Sequence, residues 1–157
     1  MPHSKLNSSQ NSTLPRIRKS RSPSPKRRRS TPKVRNGTHV AKFLSLLFNS
    51  REQAHILHLQ THSYAGHKAL QKYYEGIVDL TDKYAEAYQG KYGIIKGYKP
   101  VYKFVEGDKE VLRYFNNLEK AVTSMRPHLP KDLDLENAYA DVLDLIHSTN
   151  YLLNQLH

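Results

Sequence analysis

The chain has 157 residues, with 25 Lys and Arg against 14 Asp and Glu and no Cys. That length supports one domain with one core, and the missing Cys excludes disulfides and thiolate metal sites. No stretch approaches the ~20 apolar residues of a membrane span, and the N-terminus MPHSKLNSSQ lacks the apolar core of a secretory signal, so we read a soluble, unsecreted, intracellular protein.

Residues 1–37 form the first segment. They hold Lys5, Arg16, Arg18, Lys19, Arg21, Lys26, Arg27, Arg28, Arg29, Lys33 and Arg35 and no acid, whereas residues 38–157 carry 14 bases against 14 acids. The whole formal charge of +11 therefore sits in this segment. Its Ser- and Pro-rich composition offers too little apolar surface to offset ordering entropy, so residues 1–37 are expected to be a disordered basic arm. Such an arm binds nucleic acid through phosphates, by counterion release and without sequence specificity, and we assign that role to Arg16 through Arg35. PKRRRSTPK, from Pro25 to Lys33, also matches a basic import patch; the expected location is intracellular and DNA-associated, with nucleus and virion both open. Ser22-Pro23, Ser24-Pro25 and Thr31-Pro32 lie among the bases. Phosphates there would each add roughly −1.5 to −2 and loosen DNA.

Residues 38–157 read as helices. From Thr38, a plausible cap, apolar residues at Val40, Phe43, Leu44, Leu47, Ala54 and Leu57 make one stripe on helix A. A break at Ser63 to Gly66 leads into helix B, with Leu70, Tyr73, Ile77, Leu80, Tyr84 and Tyr88, closed by Gly90. Residues 93–108 then form a long connection with five apolar anchors, Ile94, Ile95, Tyr98, Tyr102 and Phe104. Val111, Phe115, Leu118, Val122 and Met125 mark helix C, ended by Pro127 and Pro130. Asp132 or Asp134 caps helix D, with Leu135, Ala138, Val142, Leu145, Ile146 and Leu152. Short A–B and C–D connections with a long B–C connection describe an all-α, ferritin-like four-helix bundle with one crossover, and an up-down-up-down bundle is the runner-up.

The chemistry-bearing residues cluster in helices A and B. His55, His58, His62 and His67 crowd the A–B junction, and Asp82 and Glu86 lie four apart on one face of helix B, where two carboxylates can hold one cation. Along one helix His67 and Asp82 are about 22 Å apart, so a site using both needs a second copy packed antiparallel. Glu52 and His55 also form an E-x-x-H step, without a second copy on helix D, where Tyr139 follows Glu136 by three.

With that pattern, residues 55–90 resemble the Dps branch of the ferritin superfamily, DNA-protection proteins that oxidise and store iron in a twelve-subunit shell. On that resemblance His55 and His67 match the two histidines of the ferroxidase centre, and Asp82 and Glu86 match its later carboxylate pair. Gln71 stands where the family has a middle carboxylate, and Ile56 where it has a tryptophan. The Ser63 to Gly66 turn brings His58 level with His67, so geometry favours His58 as the helix-A ligand and spacing favours His55. The HLQT and AYQG segments also look like a group of ferritin-like proteins from large DNA viruses and phages. The resemblance implies iron, a homo-oligomer of at least two and up to twelve chains, and DNA as partner. The alternative is a non-catalytic DNA-packaging protein whose metal site has decayed.

Overall fold

The protein is described here by a computed structural model over residues 37–100 and 103–155, and its regular elements there are helices: α1 (Gly37–Gln60), α2 (Tyr64–Tyr92), α3 (Asp108–Met125), a 3-10 turn (Arg126–His128) and α4 (Leu133–Gln155). The bases of the N-terminal segment, Arg16, Arg18, Lys19, Arg21, Lys26, Arg27, Arg28, Arg29, Lys33 and Arg35, lie outside the described residues. No described helix is long and apolar enough to cross a membrane.

The stripes found by spacing form one core. Val40, Phe43, Leu44, Leu47, Ala54 and Leu57 of α1 are fully buried, with Leu70, Tyr73, Ile77, Phe115, Val122, Leu135, Val142 and Ile146 from the other helices. Each of the Val, Leu, Ile and Phe side chains among these contributes roughly 1.5–3 kcal/mol by leaving water, which holds the amphipathic helices together against their ordering entropy. The α1–α2 turn is set locally. Ser63 caps α2, its hydroxyl accepting from the Gly66 N–H at 3.1 Å, and a Cβ on Gly66 would stand 3.2 Å from the Thr61 hydroxyl, a tight contact that a larger residue would relieve only by shifting that side chain.

Two boundaries differ from the sequence expectation. Thr38 lies inside α1, which begins at Gly37. Helix α2 does not stop at Gly90 but runs to Tyr92, and Gly93, at φ 89°, ends it with its N–H bonded to the Gln89 carbonyl. One local and one tertiary contact hold the extra residues helical: the Tyr92 ring packs on Tyr88 one turn earlier at 4.9 Å, and its hydroxyl donates to Asp132 at 2.6 Å. Asp132 is also the cap of α4, since its carbonyl accepts from the Glu136 N–H.

The α2–α3 connection decides the topology. Of its expected apolar anchors only Ile95 is buried; Ile94 is 70% exposed, Tyr98 and Phe104 are partly exposed, and Tyr102 lies outside the described residues. Polar side chains of α1 hold it instead. Ser45 Oγ accepts from the Lys99 N–H at 3.0 Å. The fully buried Gln53 amide both accepts from the Val105 N–H at 2.8 Å and donates to the Val105 carbonyl at 2.7 Å. Gln60 Oε1 accepts from the Gly107 N–H at 3.0 Å. Because these partners advance together, 45 with 99, 53 with 105 and 60 with 107, the connection runs parallel to α1 and returns the chain to the end where α2 began. There the Asp108 carboxylate accepts from the His62 N–H. Helix α3 thus runs in the same direction as α2. Helix α4 starts where α2 ends, tied by Lys91 to Asp132 and Asp134. Helix α1 packs on α2 and α3, and α4 packs on α2 and α3, so packed neighbours are antiparallel. The up-down-up-down order would instead start α3 where α2 ends.

Gln53→Leu should destabilise the fold by about 2–4 kcal/mol, because it removes two hydrogen bonds and strands both polar groups of Val105. Urea unfolding checks the magnitude, and hydrogen exchange should show the Val105 amide losing protection before the core of α2.

Candidate metal centre

Histidine, not carboxylate, is what the folded chain gathers. His58 sits in the last turn of α1 and is 8% exposed; His67 sits in the first turn of α2 and is half-buried. Their rings stack with centroids 3.7 Å apart. His58 Nδ1 lies 3.0 Å from the His67 carbonyl, and His67 Nδ1 lies 3.2 Å from the His58 carbonyl. A carbonyl only accepts, so each Nδ1 carries the hydrogen. In the neutral ring that assignment leaves the Nε2 lone pair uncommitted. It is the orientation in which backbone acceptors hold metal-ligating imidazoles. The same reciprocal pair also fastens the α1–α2 turn.

His55 lies one turn earlier on α1. Its ring stacks on Tyr74 at 4.4 Å and stands 6.0 Å from that of His58. Of the two alternatives for the α1 ligand, the structure therefore puts His58 against His67 and His55 beside them. Glu52, the other half of the E-x-x-H step, is exposed and pairs with Arg51, so that step points away from the core.

The carboxylates are elsewhere. Asp82 and Glu86 are exposed on α2, and Asp82 is close enough to Tyr98 of the crossover for its charge to add to burial in raising that phenol above its ordinary pKa. Within one chain the helix rise separates Asp82 from His67 by about 22 Å. Consistent with that separation, no group of three or more His, Asp or Glu side chains converges among the described residues. Gln71, one turn after His67, is tied along the surface of α2, accepting from Lys68 Nζ at 3.2 Å and donating to Glu75 at 2.9 Å.

The bundle interior supplies no ligand set of its own. Its buried polar side chains are Ser50, Gln53, His58, Thr81, Thr149 and Asn150, with no Asp or Glu among the described residues. Ser50 Oγ donates to the Leu47 carbonyl and accepts from the Tyr73 hydroxyl, both at 2.7 Å. Burial pushes the Tyr73, Tyr84 and Tyr114 phenols far above their ordinary pKa, and they stay neutral. The hydroxyls of Tyr84 and Tyr114 are buried with no hydrogen-bond partner.

Residues 58–153 match the model of a family described as a family of unknown function (DUF5856). The chain belongs to that family. The matched span begins at His58, contains His67, Asp82 and Glu86, and leaves out His55 and the basic segment. No curated protein and no solved structure matches the chain.

Sequence spacing missed three contacts. His39 and His128 stack at 4.8 Å, joining the start of α1 to the 3-10 turn. His147 faces Glu119 at 3.3 Å, and Asn150 donates to the same carboxylate at 2.8 Å. Each pair bridges helices far apart in sequence, which single-helix periodicity does not register.

The carbonyl acceptors predict an imidazole nitrogen spectrum in which neutral His58 and His67 are both protonated at Nδ1 and unprotonated at Nε2. Two-bond proton–nitrogen correlation at neutral pH measures this directly, and the commoner Nε2–H tautomer at both rings would exclude the arrangement.

Proposed function

We propose that the protein is a DNA-associated, ferritin-like bundle of the Dps kind, and that Fe²⁺ binds between two antiparallel copies. His58 and His67, with His55 beside them, come from one copy, and Asp82 and Glu86 come from the other. The observation that carries this reading is the reciprocal bonding of His58 and His67, which leaves two imidazole nitrogens held in place and available. Imidazole with carboxylate is a donor set suited to iron. The antiparallel neighbours and the long crossover along α1 support the bundle assignment. The eleven bases and absence of acids in residues 1–37 support DNA as partner.

As substrate, two Fe²⁺ reduce one hydrogen peroxide to two hydroxides and leave two Fe³⁺, which hydrolyse and mineralise; oxygen is the alternative oxidant. Protein groups bind and orient the ions, and the carboxylates offset part of the growing positive charge. If the copies close into a shell of about twelve, weak contacts by single arms add into strong avidity for DNA.

Gln71 favours a second reading, in which the same bundle packages or organises DNA without oxidising iron. A neutral amide already engaged by Lys68 and Glu75 supplies neither charge nor a strong ligand.

Light scattering at high salt, with iron measured on the same peak after Fe²⁺ loading, should give an oligomer of up to about twelve chains carrying one or more iron per chain. His67→Ala and Asp82→Asn should each slow iron oxidation by about 10-fold or more, and Gln71→Asp should speed it. A metal-free monomer, or rates indifferent to all three changes, would leave the packaging reading.

Removing residues 1–37 should abolish DNA retention. In the full chain, log affinity should fall by about 0.9 per phosphate contacted for each tenfold rise in salt, and Ser22→Asp, Ser24→Asp and Thr31→Asp together should make that slope shallower.

A further inference from the structure

The α2–α3 connection differs in charge from the rest of the helical region. Residues 87–105 hold Lys91, Lys96, Lys99 and Lys103 and no acid, although residues 38–157 balance 14 bases with 14 acids. Lys91 is taken up by Asp132 and Asp134. Lys96, Lys99 and Lys103 are exposed and form no ion pair among the described residues. Aromatic rings are interleaved with these bases. Tyr98 is 44% and Phe104 36% exposed, and with Phe48 of α1, 41% exposed, they wall a recess of about 540 Å³ that Lys99 and Pro100 complete. The rings of Phe48 and Tyr98 stand 6.2 Å apart and inclined at 55°, an open wedge and not a closed stack.

These rings do not fasten the connection, which Ser45, Gln53 and Gln60 already hold to α1. An occupant of the recess has to offer flat apolar faces to the rings and negative charge to the lysines beside them. A nucleotide of an unpaired strand offers both, its base for stacking and its phosphate for the cations. A duplex does not, because its bases are stacked on one another and only its phosphates reach the surface. The volume lies within the roughly 300–1,000 Å³ of pockets that take small ring systems. Asn49, on the same wall, carries a buried Oδ1 without a hydrogen-bond partner, and the ring N–H and amino groups of a base are donors of the kind it lacks. Of the nearby acids, Glu52 is already paired with Arg51. Asp82, whose charge reaches Tyr98 from α2, keeps a phosphate on the lysine side of that ring.

We infer that the α2–α3 connection is a binding surface for single-stranded nucleic acid, with bases entering the recess between Phe48, Tyr98 and Phe104 and phosphates lying on Lys96, Lys99 and Lys103. This goes beyond the reading above and needs neither iron nor the basic segment. Residues 1–37 contain no Phe, Tyr or Trp, so that segment meets phosphates of paired and unpaired strands alike, whereas the recess selects the unpaired form.

The test measures anisotropy of a labelled oligothymidylate of about 12 nucleotides, and of a labelled duplex of the same length, with the full chain in chelator. Tyr98→Ala and Phe104→Ala should each weaken oligothymidylate binding by about 10-fold and leave duplex binding within about twofold. Replacing Lys96, Lys99 and Lys103 together by Gln should flatten the single-strand salt dependence by about 2 in logarithmic slope. A second measurement needs no variant: an oligothymidylate carrying photoreactive iodouracil should cross-link to Phe48, Tyr98 or Phe104 of the wild type, located by peptide mass spectrometry. Equal losses for single strand and duplex, no loss in either aromatic variant, or cross-links confined to residues 1–37 would overturn the inference. So would aromatic variants that change the solution mass at unchanged affinity, since another copy of the chain would then cover the recess. None of these failures touches the iron reading, which is decided by oxidation rates.

Discussion

The pairing of the buried Gln53 amide with both backbone groups of Val105 is the contact on which the topology depends. A connection of this length, with glycines at positive φ at Gly93, Gly97 and Gly107, can leave α2 in several directions. Gln53, assisted by Ser45 and Gln60, lays it along α1, and α3 must then start beside α2's own start. Reversing that choice would turn α3 over and present its apolar stripe in the opposite chain direction. A side-chain amide suits the role because it satisfies one donor and one acceptor at once, leaving no buried backbone group unpaired.

The crossover also determines which surface stays open. It covers one flank of α1 while α2 covers another, and the exposed side chains of Phe48 and Leu59 lie between them. His58 and His67 lie on the α2 side of these residues; Tyr98 and Phe104 lie on the crossover side. The interior contrasts with this face. It is built from aliphatic side chains, tyrosines kept neutral by burial, and a few amides and hydroxyls. An unpaired carboxylate there would be costly to desolvate, and the described Asp and Glu stay at the surface or half-buried. Charged side chains are thereby confined to the exterior of the bundle.

His58 and His67 serve the fold before they serve any ligand. Their carbonyl bonds tie the last turn of α1 to the first turn of α2, at a place where helix ends otherwise leave carbonyls and N–H groups without intrahelical partners. The cost of orienting the rings is met by folding. A ligand arriving at Nε2 would not have to order them, which is what a second layer of hydrogen bonds does for imidazoles elsewhere.

The sequence by itself determined the helical class, the number of helices, the positions of their buried stripes and the concentration of charge before residue 38, because each follows from local periodicity or composition. It also marked the A–B junction as rich in imidazole. It did not show that amides of α1, not the apolar residues of the connection, hold the crossover, nor that α2 passes Gly90 to meet Asp132, nor that His58 and His67, expected level with each other, bond each other's carbonyls. Those features join residues 9 to 52 positions apart. A hydrogen bond across such a separation leaves no period in the sequence, so only the packed helices decided them.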